Sequence, residues 1–488
     1  MLTPLAGSPS RLRDFFVGAG YNHQQFRQNP ILRDLPSARF GNLPPLMEQS
    51  SEPTAFHALV RWFFLGVPLD RGPFVESIPR DVLRELVESG MLTVEGQRFT
   101  PAVMLTPCDG FLFASDPAHV LNSPEAANMV LWPNPSTRLL QMFTIRRQVR
   151  ATLDLGTGCG ILAIFAAAHS SQVVASDLNP RAAQFVAFNT WVNGVDNVEC
   201  AIGDTFEPAS GRTFDLIISN PPFFITPTTS QIYCENPMEL DGYCRGLVRA
   251  APEYLNEGGY LQITFEWVGI EGQAWQDRLS EWLADTGCDA WVLRNYVRSA
   301  AAYAAERIGG MMPYSEHTAS QRLDEWMAYY RARHVEEIYG GILAMRRRSG
   351  RNWIRMEEAP TMDYTEPFGE AITELFANQD RLESDRSIDE MMAWKPRVAS
   401  DVHLDQQLQL IDGMWRPVAM QLRRPGGLPS SLALEAQVAE FLRSCDGTRN
   451  LYDLAHNMAA VVKVDAEQVS RQCCAVVRKL VERRLLLL

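Results

Sequence analysis

The stretch from Ala151 to Phe223 constrains this chain most. Ala151-Thr152-Leu153-Asp154-Leu155 is an apolar strand that runs into Gly156-Thr157-Gly158-Cys159-Gly160. Val173-Val174-Ala175-Ser176 runs into Asp177, a further strand closes at Gly203-Asp204, and Ile218-Ser219 runs into Asn220-Pro221-Pro222-Phe223-Phe224. Each strand ends abruptly in residues suited to shaping backbone or accepting hydrogen bonds. Four such ends describe a ligand crevice at the carboxyl edge of a parallel sheet.

The pattern around this stretch alternates between periods. Strands are predicted at 152–155, 172–176, 198–201, 214–219 and 259–265, with helices near 161–169, 180–192 and 240–256. A helix over 135–148 leads in. The alternation implies α/β architecture with right-handed crossovers. A helix at 273–286 leads to a sixth strand, Ala290–Asn295, and a helical insert follows near 300–335. Ile338–Arg346 turning at Ser349-Gly350 into Asn352–Met356 predicts a terminal antiparallel hairpin. The sum is a seven-stranded, mostly parallel Rossmann-like sheet.

At 488 residues the chain exceeds one ordinary domain, and the flanks suggest more. Helices are predicted at 9–33, Thr54–Leu65 and up to Ser89, with a Pro/Ser/Gly-rich linker at 34–53. Short strands at 91–94, 99–105 and 111–114 then give a winged-helix-like module. A second such module is read from three short helices beyond 426. The expected division is 1–118, 119–357, an acidic linker or lid at 358–425, and 426–488.

Nine cysteines are scattered, and no two form a Cys-x-x-Cys pair. That predicts reduced thiols, no zinc or other metal, and a cytoplasmic setting. No run is apolar enough to span a membrane. Taken alone, the net charge of −13 disfavours nucleic acid. However, residues 357–390 hold eleven acids and two arginines, which leaves the rest near −4. Basic clusters at Arg146–Arg150 and Arg346–Arg351 keep a nucleic-acid partner open, with a solvated face the equally good reading.

The strand ends suggest chemistry. Small residues at Gly156, Gly158 and Gly160 let backbone approach a ligand, and the following helix offers free N–H groups. Ile161 stands where a dinucleotide fingerprint would place its third glycine, so a nicotinamide or flavin enzyme fits less well. Asp177 can accept from both ribose hydroxyls, and Asp204 from an adenine amino group. Either could also be a cap or turn residue. In Asn220-Pro221-Pro222-Phe223 the prolines remove two donors and fix an extended turn. The Asn220 side-chain oxygen and the Pro221 carbonyl then offer two acceptors to an –NH2 group, with Phe223 a flat face for it.

Residues 151–223 resemble the class I S-adenosylmethionine-dependent methyltransferases, and more narrowly the amino-methylating branch with an Asn-Pro-Pro-Tyr/Phe motif. That branch includes release-factor glutamine, rRNA guanine-N2 and adenine-N6, and DNA adenine methyltransferases. The resemblance covers about 120–356. It implies S-adenosyl-L-methionine as cofactor, bound by Asp154, Gly156, Thr157, Gly158, Gly160, Asp177, Leu178, Asp204 and Asn220. It implies Asn220, Pro221, Pro222 and Phe223 as the catalytic clamp. Glu239-Leu240-Asp241-Gly242 resembles a segment of the glutamine-methylating members, whereas Phe223 in place of Tyr is closer to the RNA enzymes. The expected activity is methyl transfer to a planar amino nitrogen of an RNA or DNA base or of a protein glutamine. The alternative is a non-catalytic S-adenosylmethionine-binding adaptor.

Overall fold

A computed structural model describes the chain except residues 8–9, 30–31, 33–42, 123, 229–230, 312–315, 360–366, 386, 427 and 429. It divides into two compact units. One is Met1–Gln141 with Gln148–Thr361, the other Met142–Arg147 with Met362–Leu488.

The first unit is built on one eight-stranded sheet. Its strands are β1 (Val149–Leu155), β2 (Ser170–Asp177), β3 (Val198–Ile202), β4 (Phe214–Ser219), β5 (Leu255–Ile270), β6 (Cys288–Ser299), β7 (Val335–Arg347) and β8 (Ile354–Glu358). The order is β3-β2-β1-β4-β5-β7-β6-β8. From β3 through β5 all pairs are parallel, and β7 runs antiparallel to both β5 and β6. Helices α1 (Ile161–Ala167), α2 (Ala182–Asn193), α3 (Gly242–Ala250) and α4 (Trp275–Leu283) connect the strands. The chain order reverses at β1 and β4, so their carboxyl ends open a crevice.

The terminal hairpin is not there. β8 crosses β6 to its outer edge and pairs with it in parallel, Ala290 opposite Ile354. This adds an eighth strand to the expected seven. The reason lies in Asp289, fully buried at the start of β6. It takes Arg346 at 2.6 Å, Arg348 at 2.9 Å and the Trp353 N–H at 3.2 Å. Those bonds draw the 348–353 turn past β6. Three of the four arginines of the Arg346–Arg351 cluster are thereby engaged, with Arg347 donating to the carbonyls of Pro252 and Leu255.

The insert forms two helices, α5 (Ala300–Met311) and α6 (Glu316–Arg331). Tyr303, Trp326 and Tyr330 pack beside Ile225 and Ile338.

The N-terminal region belongs to the same unit and is not a separate body. Its helix Arg80–Glu88 and three-stranded sheet match the expected helix-then-hairpin pattern. Much of the expected 34–53 linker lies outside the described residues, and Leu43–Gln49 is helical. A strand pair, Met104–Cys108 with Phe111–Ser115, runs on to α2. There Asn193 and Asn189 act as a surrogate strand. Asn193 exchanges hydrogen bonds with Leu112, and Asn189 with Ala114. Two buried carboxamides thereby satisfy backbone groups that no strand covers.

In the second unit the acidic stretch, expected as a linker or lid, contains a helix with a buried apolar face. Helix Gly369–Ser384 buries Ile372, Leu375, Phe376 and Leu382, exposes Glu370, and pairs Glu374 with Arg424 at 2.7 Å. Gly369 sits so close to Thr144 that a Cβ would lie 2.1 Å from its carbonyl oxygen. Helices Ala436–Leu442, Leu451–Val462 and Ala466–Glu482 complete a core around Trp394, Leu451, Val477 and Leu480. A strand pair, His403–Ile411 with Met414–Arg424, projects from it.

Candidate active site

A cavity of about 290 Å3 opens at the carboxyl ends of β1, β2 and β4. Its walls include Gly156, Thr157, Gly158, Asp177, Leu178, Asp204, Asn220 and Pro222, which come from four separate strand ends. The structure thus gathers most residues singled out from the sequence. Asp154, Gly160, Pro221 and Phe223 are not part of the lining.

One half of the cavity is made by backbone. The N–H groups of Gly156 and Thr157 both donate to the Ser176 carbonyl at 2.9 Å. Gly156 and Gly158 have φ of 75° and 55°, and a Cβ on either would meet nothing within 4 Å. They combine a left-handed turn with an open space, which is what a ligand pressed against backbone requires. Asp177 Oδ2 accepts from the Gly158 N–H at 2.7 Å, and Oδ1 from the Asn179 N–H at 2.8 Å. Each oxygen keeps a lone pair for a hydroxyl. Gly160 caps α1 and packs against Val186, so its role is close packing of two helices.

Asp154 lies beneath this turn, fully buried. Its Oδ2 accepts from Thr157 Oγ1 at 2.6 Å and from the Ala163 N–H at 2.9 Å. Its Oδ1 has no partner among the described residues. Burial pushes this carboxyl up to about 7. Asp154 therefore shapes the loop from below. Asn189, besides holding the N-terminal strand, donates to the Cys159 carbonyl at 2.7 Å. Asp204 is exposed and takes the Thr205 hydroxyl at 2.8 Å.

The other half is made by side chains. The Asn220 Nδ2 donates to Thr137 Oγ1 at 3.1 Å, and its Oδ1 accepts from the Thr264 hydroxyl at 2.7 Å. Thr137 is itself fixed by Asn134, whose Oδ1 also caps that helix at 2.9 Å. The Asn236 side chain donates to the Pro222 carbonyl at 2.7 Å, and the Phe224 N–H donates to the Cys234 carbonyl. Phe223 packs against the main core and not on the cavity.

Behind this segment lies a buried polar cluster from the insert. The Tyr330 hydroxyl donates to the Ile225 carbonyl at 2.6 Å, and the Ile225 N–H donates to the Tyr303 oxygen at 3.2 Å. Tyr303, Tyr296 and Arg307 all donate to the buried Glu266. The Arg307 guanidinium also lies 3.8 Å over the Phe224 ring. Burial pushes the Glu266 carboxyl up, and the Arg307 charge opposes that. Thr137, Thr264, Tyr303 and Tyr330 were not legible as site residues, because each lies 44 or more positions from Asn220 in the chain.

Residues 134–269 match the family model of the methyltransferase small domain. This segment is a methyltransferase domain. Among curated relatives, the release factor glutamine methyltransferase of Geobacter sulfurreducens is 35% identical over 149 residues, 28% of this chain and 52% of that one. The enzyme of the same name from Xylella fastidiosa strain 9a5c is 35% identical over 130 residues, 24% of this chain and 47% of its own. The ribosomal protein uL3 glutamine methyltransferase of Bradyrhizobium diazoefficiens is 36% identical over 126 residues, 23% and 40%. The chain spans about half the length of these relatives. The matched segment holds the cavity lining apart from Met129, Val130, Leu131 and Trp132, which precede it.

The residues present fit S-adenosylmethionine. The open space over Gly156 and Gly158 suits a ligand against backbone, and Asp177 suits a ribose. The cavity wall carries Asp177, Asp204 and Glu235 and, among the described residues, no Lys, Arg or His. That donor and acceptor set favours a neutral or cationic ligand over a phosphate-bearing one.

Proposed function

We propose that the protein transfers a methyl group from S-adenosylmethionine to the side-chain nitrogen of a glutamine in a protein substrate. The observation that carries the reading is the locked Asn220 carboxamide beside the glycine turn. Bound cofactor would supply an electrophilic methyl on a sulfonium. The residues do the rest by position. An amide nitrogen is a weak nucleophile, since its lone pair is delocalised into the carbonyl. Asn220 Oδ1 spends one lone pair on Thr264 and keeps another for one N–H of the acceptor. Thr137 and Thr264 prevent the carboxamide from rotating, so its orientation costs nothing at the moment of reaction. The charge of the cavity supports protein over nucleic acid. A nucleic acid brings phosphates that ordinarily meet Lys and Arg, and here the walls offer carboxylates.

The relatives named for release factor and ribosomal protein glutamines support the same acceptor. The N-terminal helix-and-hairpin region and the second unit are read as modules that dock the polypeptide. The test is transfer of radiolabelled methyl from S-adenosylmethionine into cell lysate. Label released by protease and retained after nuclease is expected. Label released by nuclease would replace glutamine with a base, and no label in either fraction would leave only the cofactor-binding alternative.

A further inference from the structure

The strand pair His403–Ile411 and Met414–Arg424 has an unusual surface. Cross-strand partners share a face, so the register sorts its residues. Leu404 faces Leu422, Gln406 faces Met420, Leu408 faces Pro417 and Leu410 faces Trp415. The opposite face holds His403 with Arg423, Asp405 with Gln421, Gln407 with Ala419, Gln409 with Arg416 and, at the tip, Ile411 with Met414. One face is therefore uncharged and, Gln406 apart, apolar, and the other is polar up to its tip. At the base, Leu422 is buried in the core of the second unit. The same face then runs outward uncovered: Leu408 is 51% exposed, Leu410 56% and Trp415 67%.

A sheet with one apolar face is half of a two-layer structure. We propose that the missing layer is a second copy of this chain, apolar face against apolar face, related by a two-fold axis. Three observations favour a copy over a different partner. The face carries no charge, so it matches itself without opposing like charges, as an isologous contact requires. Residues 403–424 hold two Asp and three Arg, a local net of +1, in a chain whose total is −13. Two copies thus meet where their mutual repulsion is least. The exposed parts of Leu404, Leu408, Leu410 and Trp415 amount to roughly 500 Å2, so a pair would bury about 1,000 Å2, the lower bound for a specific interface. A small interface of this kind forms a reversible dimer, not an obligate one.

The experiment is the mass of the purified full chain by light scattering and sedimentation over a range of concentration. The expected result is a monomer of 54.9 kDa that gives way to a species of twice that mass as concentration rises. Leu408→Glu, on the apolar face, should shift the midpoint at least tenfold to higher concentration. Gln407→Glu, one residue away on the polar face, should leave it in place. Both side chains are exposed, so unchanged melting temperatures would show that the fold is retained. A wild-type chain that stays monomeric throughout overturns the proposal, as does a Leu408→Glu chain that associates like the wild type. Equal weakening by the two substitutions also overturns it, since the contact would then not be made by the apolar face.

Discussion

The two halves of the cavity are held by different means. The cofactor half is local. Gly156, Thr157 and Gly158 are tied to Ser176 and Asp177 by backbone donors over about twenty residues of chain. The acceptor half is assembled from afar. Asn220 needs Thr137 and Thr264, and the segment behind it needs Tyr303 and Tyr330 from the insert. The lesson concerns robustness. A site built from neighbouring backbone forms whenever its strands pair. A site built from distant side chains forms only when the whole unit is packed.

Four measurements would break or sharpen that contrast. The largest effect is expected from Asn220→Ala, which removes the acceptor atom itself. Methyl transfer should fall at least about 100-fold, in line with loss of one preorganised group. Cofactor affinity by calorimetry should change little, and loss of both together would erase the boundary between the halves. Asp177→Ala is the mirror image. Cofactor binding should weaken about 10- to 100-fold, since hydrogen bonds to a charged group contribute about 1.5–3 kcal/mol. An unchanged affinity would remove Asp177 from the cofactor half.

Next comes Tyr330→Phe, which deletes one hydroxyl that donates to the Ile225 carbonyl. The expected loss is about 0.5–1.5 kcal/mol, seen as a roughly two- to tenfold fall in turnover at constant cofactor affinity. If turnover holds, the insert supports the fold and does not position the acceptor. The fourth measurement reads stability in place of turnover and concerns Asp154, whose carboxyl burial pushes up to about 7, against about 3.9 in an unfolded chain. Between those values the native state holds a proton that the unfolded state has lost. The contribution of this group to stability is therefore present below about pH 4 and lost as pH rises through 7. Asp154→Asn stays neutral throughout. Its melting temperature relative to the wild type should climb between pH 5 and pH 8, and a flat difference would show that Asp154 is ionised in the native protein.

Legibility followed the same division. The glycine turn, Asp177 and the run of alternating strands could be read because strand, turn and helix signals there are local. β8 could not, because its place depends on Asp289 drawing Arg346 and Arg348 together. The acidic stretch also misled. Its charge suggested solvent, but Ile372, Leu375 and Phe376 fall on one helical face and bury it.

The sequence by itself determined where the strands end and which residues stand there, since glycine, proline and terminal acids act through backbone shape that needs no distant partner. Only the tertiary structure decided how Asn220 is aimed. A carboxamide on a single bond has no preferred direction until Thr137, from the helix that precedes β1, and Thr264, from β5, bind both its ends.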